Sequence, residues 1–271
     1  MPRSIKDSVV VITGASSGIG AELARQLHDR GARLVLAARR LEKLKELTLE
    51  LGKAHLCLKC DVSIAGDCER LISVAVESLG RIDTLVCNAG YGVGRLSAQT
   101  TRDETRKMFE TNMLGTTHCA SLAAQVMKRQ PKLDGYRGQI MIVSSAAARR
   151  GLPMLGVYSA TKAAQLVYAE SLRVESLIDD IAVTTVHPVG TKTEFADIAQ
   201  QQGEPFDVPG RSLFQQTARQ VAVRMVGAIR VPVRECWPFW PARFVVALNA
   251  FCPWLGDFAM DRQLQGIRKK R

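Results

Sequence analysis

Residues 9–27 read VVVITGASSGIGAELARQL. Three valines and an isoleucine in a row predict a strand covered on both faces. Thr13-Gly14-Ala15-Ser16-Ser17-Gly18-Ile19-Gly20 follows and opens directly into a helical period. Glycines let the backbone turn sharply and come close to a ligand, while a helix N-terminus offers free N–H groups and positive potential. The stretch therefore predicts a strand–turn–helix cradle for a pyrophosphate, with Gly14, Ser16, Ser17, Gly18, Ile19 and Gly20 as its binding residues. Its spacing, G-x-x-x-G-x-G, differs by one residue from the G-x-G-x-x-G dinucleotide fingerprint. A Gly-rich turn that holds no ligand is the alternative.

Working outward, short apolar runs alternate with longer amphipathic ones. The strands expected are Val9–Ile12, Leu34–Ala37, His55–Lys59, Thr84–Cys87, Ile140–Val143 and Ala182–Val186. Helical periods fall at Gly18–Arg30, Leu41–Leu51, Ala65–Ser78, Arg102–Arg129 and Val157–Leu177. Strand and helix in strict alternation predict right-handed crossovers and an α/β, doubly wound, mostly parallel sheet. Residues 1–195 are read as the dinucleotide-binding and catalytic core. Residues 196–271 are read as a substrate loop, the last core elements and a C-terminal helical extension of the same domain. Within them Asp197–Arg211, rich in Gln, Gly and Pro, reads as a long loop.

Candidate chemistry collects where the strands end. The second strand runs into Ala38-Arg39-Arg40, with no acid to take a ribose 2′-OH. Arg39 and Arg40 suit a 2′-phosphate, which points to NADP(H) rather than NAD(H), unless both simply face solvent. Asp61-Val62 follows the third strand and Asn88-Ala89-Gly90 the fourth, placed to bond adenine and shape the nicotinamide-ribose floor. Ser144-Ser145 closes the fifth. Tyr158 and Lys162, four apart, share one helical face, where the ammonium can stabilise a phenolate. Ser145, thirteen residues upstream of Tyr158, can reach the same substrate oxygen.

In this order and spacing, TGASSGIG, the Asp61 turn, Cys87-Asn88-Ala89-Gly90, Ser145 and Tyr158-Ser-Ala-Thr-Lys162 resemble the short-chain dehydrogenase/reductase family over residues 5–195. The resemblance implies a single Rossmann domain with about seven parallel strands. It also implies that Asn112, otherwise only a polar position in a long helix, joins Ser145, Tyr158 and Lys162 as a catalytic residue. The implied reaction passes a hydride from NADPH to a carbonyl carbon while Tyr158 donates a proton to the oxygen, reversibly with the alcohol. Ser145 would polarise the carbonyl, Lys162 would hold the nicotinamide ribose and tune Tyr158, and Asn112 would hold a water between Lys162 and solvent. Tyr158 and Lys162 thus count among the cofactor contacts, with Pro188, Val189, Thr191 and Thr193 after the sixth strand. One departure stands there: the family's usual glycine after Pro188 is Val189, with Gly190 next to absorb the turn. Pairing through the helices of Asn112 and Tyr158, as a homodimer or homotetramer, is a further implication.

Composition narrows the classes. The chain has 271 residues, 46% hydrophobic and 23% charged, enough for a substantial core. Seven scattered cysteines argue against a disulfide framework, and Cys57-Leu-Lys-Cys60, lacking a second pair nearby, is not read as a metal site. His28, His55, His118 and His187 read as structural, and Tyr168 as packing at a helix interface. The strand pattern begins within eight residues of Met1 and no run of about 18 apolar residues occurs, so a cytoplasmic protein without a signal peptide or spanning helix is expected.

The net charge is +11. Residues 217–271 hold ten Lys+Arg against three Asp+Glu, a local +7, and all three Trp. Trp237, Phe239, Trp240 and Trp254 with Arg243, Arg262 and Arg268-Lys-Lys-Arg271 predict a peripheral membrane contact, a lid over the substrate pocket or a contact with a sister subunit. Nucleic-acid binding is not expected. Leu152, Pro153, Met154 and Leu155, with Phe195, Phe206 and Leu213 above them, favour a hydrophobic carbonyl substrate. A 3-oxoacyl-carrier-protein reductase and a non-catalytic dinucleotide-sensing or membrane-surface protein are the alternatives.

Overall fold

The computed structural model describes residues 2–52, 55–201, 203 and 215–268. Strand β1 (Val9–Thr13) leads into helix α1 (Gly18–His28), and the alternation continues through β2 (Arg33–Ala38), α2 (Leu41–Leu51), β3 (Leu56–Lys59), α3 (Ala65–Leu79) and β4 (Thr84–Cys87). Helices α4 (Arg102–Phe109) and α5 (Gly115–Arg129) precede β5 (Gly138–Val143), α6 (Gly156–Glu175) and β6 (Ile181–Val186). Then come β7 (Thr191–Lys192), α7 (Phe195–Gln201), β8 (Gln216–Thr217), α8 (Ala218–Arg230) and β9 (Glu235–Cys236). The C-terminal helices are α9 (Pro241–Phe251) and α10 (Pro253–Arg268).

Seven strands pair in the order β3-β2-β1-β4-β5-β6-β9, every neighbour parallel. Strands β1, β4 and β5 are buried along their whole length, which is why they read as unbroken apolar runs. One side of the sheet packs Ile12, Leu34 and Leu36 against Leu23, Leu44 and Met225 of α1, α2 and α8. The other packs Val11, Leu85 and Ile140 against Leu71 and Met127 of α3 and α5. Successive connections leave β1 and β4 in opposite directions, and this reversal opens a crevice at the carboxyl edge, where such sheets bind ligands.

Two expectations change. The helical period over 102–129 is not one helix: residues Glu110–Leu114 form a π-turn between α4 and α5. The loop expected over 197–211 is helical at its start, because Ala196 and Ala199, three apart, are buried on one face of α7. Phe206 and Leu213, expected to close over the substrate, lie outside the described residues.

Candidate active site

The crevice floor is knitted from the ends of β1 and β4. Thr13 Oγ1 accepts the backbone N–H groups of Asn88 (3.0 Å) and Ala89 (3.1 Å), and Asn88 Nδ2 donates to the carbonyls of Thr13 and Gly14. The first glycines are required by geometry. Gly14 has φ 65°, and a Cβ on Gly20 would stand 2.5 Å from the Gly14 carbonyl oxygen. Ser17, at the N-cap of α1, makes no side-chain bond to that helix, so the first-turn N–H groups face the crevice free of a side-chain cap. A pyrophosphate fits this cradle.

At the end of β2, Arg40 Nη2 donates to Ser17 Oγ (2.6 Å) and Ser16 Oγ (3.2 Å), while its Nη1 bonds Glu194 at 2.7 Å. Lys43 reaches the other Glu194 oxygen, also at 2.7 Å. These two cations hold the Glu194 carboxyl down at about 2, Lys43 contributing most. Arg39, Asp61 and Val62 line the same end of the cavity, and Asp61 accepts both the N–H and the hydroxyl of Ser63. Glu194 and Lys43 carried no signal in the sequence; only folding brings residue 194 to residue 40.

Ser145 follows β5, and Tyr158 and Lys162 project from the first turns of α6. Burial pushes the Tyr158 phenol up to about 12, a hydrogen bond from the Ser145 side chain opposing it. Burial likewise brings Lys162 down to about 7. Its Nζ donates to the Val143 carbonyl (2.9 Å) and to Gln165 Oε1 (3.0 Å), and lies 5.7 Å from the Tyr158 ring centre. Desolvation is the largest influence on both groups.

Asn112 sits in the π-turn, fully buried, its Nδ2 donating to Tyr91 O (2.8 Å) and Thr161 Oγ1 (2.9 Å). Its own carbonyl accepts Gln165 Nε2 at 2.5 Å. Gln165 thus bridges Lys162 to the Asn112 backbone carbonyl. It lies three residues past Lys162 on the same helical face, a spacing that could have pointed to it.

Beyond β6, His187 is buried under Ser145, whose carbonyl lies 3.3 Å from Nδ1, and stacks on Trp237 at 4.4 Å. Val189, Thr191 and Thr193 line the cavity with Pro188. Gly190 is not left-handed, and its carbonyl accepts the Gln216 N–H at 2.9 Å. Thr193 packs on Gly18.

The cradle residues Gly14 and Ser16–Ile19, with Arg39, Arg40, Asp61, Ser145, Tyr158, Lys162 and Glu194, line one cavity of about 860 Å³, and Asn112, Gln165 and His187 support its wall without lining it. Its far end is apolar, with Leu152, Leu155 and Phe195, the last tilted on Tyr158 at 5.0 Å between ring centres. Helices α9 and α10 close it with Val246, Leu248, Asn249, Leu255 and Met260. Arg150 Nε and Asn249 Oδ1 line it as well, both buried and without a hydrogen-bond partner. Trp237 and Phe239 are half-buried, and Trp237 donates to Glu235 at 2.8 Å. Behind the sheet Cys60 is brought to Cys68, which also contacts Cys119, neighbours the sequence did not reveal. Among the described residues no group of three or more His, Cys, Asp or Glu is arranged to hold a metal.

A parallel sheet in this order with a glycine cradle at its switch point defines a dinucleotide-binding oxidoreductase class. The short chain dehydrogenase family model matches residues 8–203, and the chain belongs to that family. It is 31% identical over 265 residues to the oxidoreductase YxnA of Bacillus subtilis, covering 96% of this chain and 73% of that protein. It is 35% identical to 11-beta-hydroxysteroid dehydrogenase A of Sesamum indicum, over 84% of this chain and 64% of that one. Among solved structures, a short-chain dehydrogenase/reductase from Burkholderia phymatum in complex with NAD shares the fold with TM-score 0.83 at 24% identity, covering 93% of this chain and 96% of that one. An alcohol dehydrogenase from Thermococcus sibiricus complexed with 5-hydroxy-NADP aligns at TM-score 0.75 and 26% identity, covering 86% and 96%.

Proposed function

We propose that the protein is an NADP(H)-dependent reductase of ketones or aldehydes, reversible with the alcohol, acting on a hydrophobic or lipid-like substrate. The observation that carries this reading is the meeting of Ser145, Tyr158 and Lys162 on the wall of an apolar cavity whose other end is the glycine cradle. The bound dinucleotide supplies the hydride; the chain supplies orientation and the proton. Tyr158, with its phenol raised to about 12, is protonated at working pH and acts as the acid toward the carbonyl oxygen. Ser145, bonded to the same phenol, orients that oxygen. Lys162, when charged, favours the phenolate left behind, and Gln165 and Asn112 hold it in place.

The 2′-phosphate reading is supported by Ala38 where a ribose-binding acid would stand, and by Arg40 held between Ser16 and Ser17 beside Arg39. Leu152, Leu155, Phe195, Val246 and Met260 support an apolar substrate, and the hydroxysteroid dehydrogenases among the relatives agree with it. Val167, Val174, Leu177 and Ile178, exposed along α6 and just past it, support a homo-oligomer through that helix. Seven free cysteines fit a reducing cytoplasmic setting.

The test is Tyr158→Phe. Carbonyl reduction is expected to fall by about 10²- to 10⁴-fold, while NADPH fluorescence still reports binding. Turnover close to the parent would overturn the assignment.

A further inference from the structure

Helices α9 and α10 form a hairpin with two unlike faces. Its inner face closes the cavity, and the pair Arg150–Asp257 fastens it to the body. Its outer face carries Trp240, Phe244, Leu248 and Phe251, spaced four, four and three apart along α9, and Trp254 and Phe258, four apart on α10. These are exposed side chains, Phe251 by 86% and Trp254 by 65%. A row of large aromatics in water on adjoining helices marks a docking surface rather than scattered surface apolars. Leu248 and Leu255 belong to both faces: they line the cavity and are exposed. The outer apolar surface is thus continuous with the cavity wall.

Charge identifies the occupant. Arg243 and Arg262 border the row, Arg262 lying 4.7 Å over the Phe258 ring, and the sequence ends Arg268-Lys269-Lys270-Arg271. Of the acids on α10, Asp257 is taken by Arg150, and Asp261 accepts Gln265 at 2.6 Å. Residues 237–271 hold six Lys+Arg against two Asp+Glu, so pairing this face with itself in a second copy would bring two segments of +4 together. The exposed apolar row of α6 offers self-association a separate place. No helix among the described residues is long and apolar enough to cross a membrane, so a lipid contact here lies in the plane of the interface.

We propose that the outer face of the α9–α10 hairpin seats in the surface of an anionic membrane, with Leu248 and Leu255 at the water–lipid boundary. A lipid-dissolved carbonyl compound then reaches the cavity along these two leucines without crossing water. That last step rests on the reductase reading; the docking does not.

Flotation of the full-length protein with phosphatidylcholine–phosphatidylglycerol vesicles, against phosphatidylcholine alone, reads docking with no turnover involved. The parent is expected to float with the anionic vesicles, and the double variant F251E/W254E to stay behind. Both positions lie outside the cavity lining, so that variant should keep NADPH binding and its rate on a small water-soluble aldehyde while losing rate on a long-chain ketone dissolved in vesicles. A parent that does not float, equal flotation of the variant, or equal binding to neutral vesicles overturns the proposal. So does a vesicle-free oligomer that the double variant dissociates, which would give the face to a second copy. Flotation as expected without turnover of any carbonyl supports the docking and removes the reductase reading instead.

Discussion

Glu194 carries its carboxylate between Lys43 and Arg40, where the phosphate of an NADP(H) ribose would look for the same cations. Held down at about 2, it stays anionic throughout the working range, so under the proposed NADP(H) reading it would compete with that phosphate at every relevant pH. It also directly precedes α7, whose Phe195 leans on Tyr158, so the anion site and the substrate wall share one short segment. Glu194→Gln should remove the competitor and tighten NADPH by about fivefold, in keeping with the roughly 1 kcal/mol of a half-exposed ion pair. Arg40→Ala should weaken NADPH by about ten- to a hundredfold, as for loss of a charge-assisted bond. NADH affinity should hold in both variants. Titration of each with both cofactors checks this; equal effects on NADH would mean that Arg40 and Glu194 shape the loop and do not read the phosphate.

At the scale of elements, β6 and β9 are joined to the loop that carries Ser145 through His187. Its backbone N–H donates to Cys236 O at 2.9 Å, its ring stacks on Trp237, and its Nδ1 faces the Ser145 carbonyl. Burial brings this imidazole down to about 4, against 6.5 when free, the Ser145 carbonyl opposing the shift. The folded chain therefore keeps His187 neutral where the unfolded chain protonates it, so the unfolded state binds more protons between about pH 6.5 and 4. Stability contributed by neutral His187 is full above that window and falls through it, with no further loss below about 4. The drop is on the order of 3 kcal/mol. Urea unfolding of the parent and of His187→Asn at pH 7 and near pH 4.5 should show a smaller acid loss in the variant; parallel losses would exclude His187 as the source.

The same elements show what was legible in advance. Strands β1, β4 and β5 announced themselves because strands buried on both faces are largely apolar, whereas β3 is only partly buried and is read from its place in the alternation. Strand β9, two residues long, has no period to read and exists through its bonds to β6. The π-turn was invisible for a different reason: Glu110–Leu114 has ordinary helical residues, and the turn bulges where Gly115 lies against Val62. A Cβ on Gly115 would stand 2.6 Å from the Val62 carbonyl. Local motifs gave Ser145, Tyr158 and Lys162, and Gln165 stood within reach of the same local spacing, whereas the pairing of Glu194 with Arg40 and the stacking of Trp237 on His187 depend on contacts distant in the chain.

Taken whole, the molecule divides its work between the two ends of one sheet. The carboxyl edge holds the cradle and the Ser145–Tyr158–Lys162 cluster; the amino edge is tied by Arg3. This buried guanidinium donates to Gln139 Oε1 at 2.7 Å and to the Asp83 carbonyl at 2.8 Å, and the Arg3 N–H bonds the Arg230 carbonyl at 2.7 Å. Asp83 in turn accepts the Val9 N–H and pairs with Arg81. One side chain thus joins the N-terminal segment, β4, β5 and the end of α8. Arg3→Met would keep the aliphatic bulk and leave Gln139 Oε1 and the Asp83 carbonyl without that donor, at a cost of about 2–4 kcal/mol. From Gln139 to Ser145 the chain runs roughly 20 Å along β5 at strand rise, too far for the change to alter the crevice directly, so kcat/KM on any accepted carbonyl should stay within about twofold of the parent. Chemical unfolding and steady-state rates on one preparation decide it: lowered stability with unchanged rate means the two edges are energetically separate, and a rate that falls with stability means that the amino edge helps set the geometry of Tyr158.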